Sequence, residues 1–187
     1  FSAEPHRMLF LAGAVQILLT LAWWLVELST RATGFLSAAT ALPATWGHAI
    51  LMVYGVFPFF IFGFLFTVYP RWLRGAAIVR RAYVPVFALL FGGILLFTAG
   101  LFLDRRIIAL ALMLFLAGWA GALVSLFRVY ARAGGSGPHE RLLNLALTAG
   151  LLGIAVFLAA VLTGSAPLFM LARELGLWLF LVPTVFL

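Results

Sequence analysis

The stretch that decides the fold reads Trp46-Gly-His-Ala-Ile-Leu-Met-Val-Tyr-Gly-Val-Phe-Pro-Phe-Phe-Ile-Phe-Gly-Phe-Leu-Phe-Thr-Val-Tyr69, and Pro70 follows it. It carries no charged side chain. At ~1.5 Å per residue it is long enough to cross the ~30 Å hydrocarbon core of a bilayer. Pro70 cannot extend a helix without losing a backbone hydrogen bond, so the span is expected to stop there. Similar apolar runs lie from Met8 to Leu28, Tyr83 to Leu103, Ile107 to Phe127 and Leu142 to Leu162, and another begins near Leu171. Short polar pieces separate them. These are an Ala-, Ser- and Thr-rich loop from Ser29 to Thr45, a tight turn at Asp104-Arg105-Arg106, a Gly-rich linker from Arg132 to Arg141, and a break from Gly164 to Pro167. None of the runs alternates as a barrel strand would. The sequence therefore predicts an all-α, polytopic transmembrane bundle of about six helices, in one domain over residues 1–187.

Composition points the same way. Of 187 residues, 66% are hydrophobic and 9% charged, with 19 Phe and a mean hydropathy of +1.21. Soluble domains carry about 25% charged residues, so there is too little polar surface here for a water-soluble globule. Disorder is excluded because it requires low hydrophobicity. The net charge of +7 does not call for nucleic acid, because membrane proteins collect positive charge in their cytoplasmic loops. Every basic residue is Arg, and the absence of Cys removes disulfides, thiolate metal sites and Cys nucleophiles. Arg7, Arg71, Arg74, Arg80, Arg81, Arg128, Arg132 and Arg141 fall on one side of the predicted topology, and Arg31, Arg105, Arg106 and Arg173 on the other. The richer side, with the N-terminus, is expected to be cytoplasmic. The chain starts at Phe1 and stops at Leu187 inside an apolar run, as a piece of a longer protein would.

Polar groups at membrane depth are the best functional pointers, because they are costly there. Gln16, Thr20, Trp23 and Glu27 recur at helical spacing and mark one face of the first helix. That face serves either packing or the lining of a pocket. His48 and Met52 lie one turn apart, so imidazole and thioether can approach one centre, a donor pair suited to copper or haem iron. Glu27 is expected at the same end and could join them as a metal ligand. The plainer readings are a hydrogen-bonded interfacial His and a gap-filling Met. Phe57, Phe59, Phe60, Phe62, Phe64 and Phe66 either face lipid and neighbouring helices or wall a flat macrocycle, and Pro58 should kink their helix. His6 and Arg7 open the first helix at the other end, about 30 Å away, too far to share a metal with His48. His139 is expected to be a solvated loop residue. The Arg clusters suit anionic lipid head groups, with Arg7 or Arg71 also able to clamp a propionate. A phosphate-cradling Gly loop, a nucleophile elbow and a zinc-binding His-Glu-x-x-His are absent.

Two stretches carry a resemblance. One is Glu4-Pro-His-Arg-Met-Leu-Phe-Leu-Ala-Gly13. The other is Trp46-Gly-His-Ala-Ile-Leu-Met-Val-Tyr-Gly55, continued by Gly63-Phe-Leu-Phe-Thr-Val-Tyr-Pro-Arg-Trp72. Together they resemble the NnrS family, haem- and copper-containing membrane proteins associated with denitrification and nitric oxide stress. In that family the second helix typically opens Trp-His-Ala-His-Glu-Met and closes Gly-Phe-Leu-Leu-Thr-Ala-Val-Pro-Asn-Trp. His48 falls on the first His and Met52 on the Met, and Gly63, Thr67, Pro70 and Trp72 also match. Ile50 stands at the second His and Leu51 at the Glu, which puts any ligand from those positions in doubt. The resemblance implies about twelve helices in the whole protein, this chain being the N-terminal half.

Two functions compete at this point. The resemblance implies a protein of nitric oxide metabolism or nitrosative-stress protection that binds haem and can hold copper, in the bacterial inner membrane, with His48, Met52, His6 and Arg7 as cofactor-binding residues. The missing His and Glu favour the alternative, a cofactor-free carrier or a helical partner subunit of a respiratory or denitrification complex. Whether the chain is an enzyme is open.

Overall fold

The computed structural model describes residues 4–34, 40–133 and 137–186. Among them there is no strand, and six helical spans are long and apolar enough to cross a membrane: Pro5–Thr33, Ala44–Trp72, Arg80–Leu103, Arg105–Arg132, Pro138–Thr163 and Ala166–Phe186. The first span is α1. The second is built from α2 (Ala44–Ile50), a π-helical segment π1 (Leu51–Val56) and α3 (Phe57–Trp72). Then come α4 (Arg80–Leu103), α5 (Arg105–Arg132) and α6 (Pro138–Thr163). The last span joins α7 (Ala166–Glu174), a second π segment π2 (Leu175–Leu181) and α8 (Val182–Phe186). The middle of the expected loop after Ser29, residues 35–39, and of the expected Gly-rich linker, residues 134–136, lies outside the described residues.

The second span is the hub of the bundle. Its most apolar window is 67% buried, against 33% for α1 and 22% for the last span. It packs against α1, α5 and the last span, and so can carry side chains that several helices reach at once. α1 crosses α3 at two glycines. A Cβ on Gly13 would come within 2.7 Å of Phe60, and one on Gly63 within 2.7 Å of Phe10, so each ring fills the notch opposite. Membrane helices gain little hydrophobic drive from meeting one another, and such small-residue notches let dispersion forces do the work.

α4 and α5 form a tight hairpin with only Asp104 between them. The Asp104 carboxylate accepts from the Arg106 N–H at 2.6 Å, capping α5. Gly93 and Gly118 let the two backbones approach: a Cβ on Gly93 would lie 3.0 Å from the Ala111 carbonyl, and one on Gly118 2.9 Å from the Leu90 nitrogen. α3 ends differently. Arg74 takes the left-handed conformation (φ 50°), and the Gly75 N–H reaches back to the Pro70 carbonyl at 2.8 Å. That is a Schellman-type close with arginine where glycine is usual.

Pro58 was expected to kink its helix, and the structure shows how the chain absorbs it. Each π segment ends two residues before a proline, π1 before Pro58 and π2 before Pro183. A proline ring clashes with the carbonyl four residues back, here Tyr54 or Leu179, and a wider i→i+5 turn makes the room. The two π segments touch. Tyr54 of π1 is buried, and its hydroxyl donates to the Ala172 carbonyl of α7 at 2.9 Å. Gly153 and Gly176 leave the space for that hydroxyl. Beside it Trp119 packs edge-on to Phe62, Tyr54 and Phe180, and its Nε1–H donates to the Leu147 carbonyl at 2.9 Å.

Candidate functional site

α1 and the start of the second span build a polar seam. The stripe expected on α1 does face inward: Gln16 is 0% and Thr20 1% exposed, Trp23 is buried, and Glu27 is half-buried. Gln16 donates its Nε2–H to the Thr20 hydroxyl at 3.0 Å, while its Oε1 is buried with no partner. Gly55 of π1 sits opposite Gln16: a Cβ there would come 3.5 Å from Nε2.

His48 lies one turn into α2, about 6 Å along the helix from its start. Its ring stacks flat on Trp24 of α1, with centroids 4.0 Å apart and planes at 17°. Gly47 makes the close approach possible, since a Cβ there would be 3.0 Å from Trp23. His48 Nδ1 is buried and has no hydrogen-bond partner. Leaving a buried polar atom unpaired costs about 1–3 kcal/mol, so such an atom calls for an explanation. Met52 follows inside π1 and is half-buried.

Glu27 does not end the first helix, as the apolar run implied, but lies inside α1, which continues to Thr33. Its Oε1 is bound by Arg31 at 2.8 Å, and the Arg31 guanidinium stands 5.6 Å from the Trp24 ring. Glu27 thus joins the His48–Trp24 pair through Arg31. No group of three or more His, Cys, Asp or Glu gathers anywhere among the described residues.

At the other end of the bundle His6 contacts Thr67, Nδ1 to Oγ1 at 3.3 Å. Thr67 spends its own proton on the Gly63 carbonyl at 3.0 Å. Its oxygen is left to accept from a His6 Nδ1–H, and in the neutral imidazole that tautomer carries the lone pair on Nε2. An imidazole whose second nitrogen is pinned in this way is the usual setting for a ligating His. Arg7, beside it, is exposed.

One further position differs from the sequence reading. His139 is not a solvated loop residue. It occupies the first turn of α6, is half-buried, and packs edge-on to Trp72 at 6.0 Å. It lines an open groove of about 400 Å³ together with Phe57, Phe60, Phe64 and Leu143. Pro138 just before it is the signal that could have placed it, because proline favours the first helical position. The phenylalanine wall divides as well: Phe59, Phe62 and Phe66 are buried in the core, while Phe57, Phe60 and Phe64 line the groove. Ile50 and Leu51 are 2% and 0% exposed and pack in the core.

No curated protein and no solved structure matches the chain. The family model described as NnrS protein matches residues 1–187, which covers both stretches that carried the resemblance. With six spans of membrane length and that match along it, the chain is an integral membrane protein belonging to the NnrS family.

Proposed function

We propose that the chain is a haem-binding member of this family that acts in nitric oxide metabolism or protection from nitrosative stress, with His48 as a residue that would hold the haem iron. The observation that carries the reading is the buried, unpartnered Nδ1 of His48, held in place by the flat Trp24 ring. Nitrogen coordination would satisfy that atom. The donor set fits haem better than copper. Porphyrin brings four nitrogens of its own and leaves one or two positions to the protein, whereas a copper site would need His48, Met52 and Glu27 together, and Arg31 competes for the Glu27 carboxylate. When bound, haem iron supplies diatomic-gas binding and one-electron chemistry. The residues of this chain orient the imidazole (Trp24), offer a second soft donor one turn away (Met52), and keep water out (Trp23, Leu101). His6, with its Nε2 lone pair and Arg7 beside it, is a second ligating position at the opposite end. The Arg distribution supports a cytoplasmic position for that end, in a bacterial inner membrane.

One observation favours the alternative of a cofactor-free carrier or a partner subunit of a respiratory or denitrification complex. Ile50 and Leu51 fill the core where the family pattern has His and Glu. A reduced-minus-oxidised spectrum of the full-length protein in detergent, with iron and copper analysis, separates the two. A Soret band with stoichiometric iron supports the haem reading, and a folded sample without either supports the alternative.

A further inference from the structure

A cavity of about 280 Å³ opens at the end of the bundle where α3 gives way to α4. Its walls bring together Arg71 from the last turn of α3, Arg80 from the first turn of α4, and the side chains of Thr67 and Tyr83. Phe66 and Ile78 add apolar wall, and Glu4 is the carboxylate on the lining. The ion pairs among the described residues are Glu27–Arg31 and Arg173–Glu174, so Arg71 and Arg80 have no carboxylate within 4.0 Å there.

Two guanidiniums and one carboxylate line the cavity, so its charge balance is positive. α4 opens with Arg80 and Arg81 at the positive end of its helix dipole, with no acidic residue in its first turn and no side-chain cap. Cations belong at the other end of a helix. Two guanidiniums facing one cavity repel each other as well. An anion in the cavity would reverse both terms, and a guanidinium pairs with phosphate through two parallel hydrogen bonds. The apolar wall and the position at the end of the membrane spans match a phosphate that carries an acyl chain.

We propose that this cavity is a binding site for the phosphate of an anionic phospholipid, held by Arg71 and Arg80. The test uses full-length protein stripped of lipid in detergent, with native mass spectrometry and thermal unfolding read after adding phosphatidylglycerol, phosphatidylcholine or inorganic phosphate. Phosphatidylglycerol should give one retained lipid and a raised Tm, with little effect from the other two. Arg71→Gln with Arg80→Gln should weaken that lipid roughly thirtyfold, at about a factor of five per surface arginine. Arg128→Gln with Arg132→Gln, at the same end of the bundle but off the cavity, should not. Should the first pair fail to fold, dodecyl phosphate is added to the wild type, where it should displace the retained lipid. Equal retention in both double variants, no displacement, or a response to inorganic phosphate alone would overturn the assignment. None of these outcomes depends on haem.

Discussion

The core around Trp119 and Tyr54 and the seam around His48 and Gln16 are built from similar residues and finished in opposite ways. In the core every named polar group is paired: the Tyr54 hydroxyl with Ala172, the Trp119 indole with Leu147. Glycines at 150, 153 and 176 are cut to fit the two rings. In the seam Gln16 keeps a buried oxygen and His48 a buried nitrogen without partners. The first pattern is what stability asks for. The second costs stability, and a chain that keeps it has another use for those atoms.

Substitutions in the core should have the largest effects. Gly153→Leu would drive a side chain into the Tyr54 hydroxyl and should abolish the folded, monodisperse species on size-exclusion chromatography. Trp119→Phe removes the indole donor and part of the ring, and should cost about 1–3 kcal/mol in reversible unfolding. Tyr54→Phe loses one hydrogen bond while keeping the ring, and should cost about 1 kcal/mol. In the seam the sign should differ. Gln16→Leu removes an unsatisfied oxygen and should leave stability within about 1 kcal/mol of wild type, or raise it. A loss there as large as that of Trp119→Phe would mean that Gln16 is an ordinary structural residue.

The spans were legible because length and apolarity are written along the chain, and the α4–α5 turn because Asp104 breaks an apolar run and can cap a helix. The π segments were not. Hydropathy does not distinguish an i→i+5 turn from an α-turn, and only Pro58 and Pro183 hinted at them. Glu27 was placed at a helix end because its apolar run stops at Leu28, yet α1 runs on through Arg31, whose i, i+4 pairing with Glu27 supports the extra turn. The glycines before His139 suggest a loop, although Pro138 starts a helix there. Of the site, the inward stripe on α1 could be read from spacing. The stacking of His48 on Trp24 could not, because it depends on how two helices cross.

Haem binding at His48 is tested most directly by the haem content of purified full-length His48→Ala, read by pyridine haemochrome and the Soret band beside wild type and Gln16→Leu. His48→Ala should lose most of its haem while remaining folded and monodisperse, and Gln16→Leu should keep its haem. Wild-type haem content in a folded His48→Ala protein would contradict haem binding at His48.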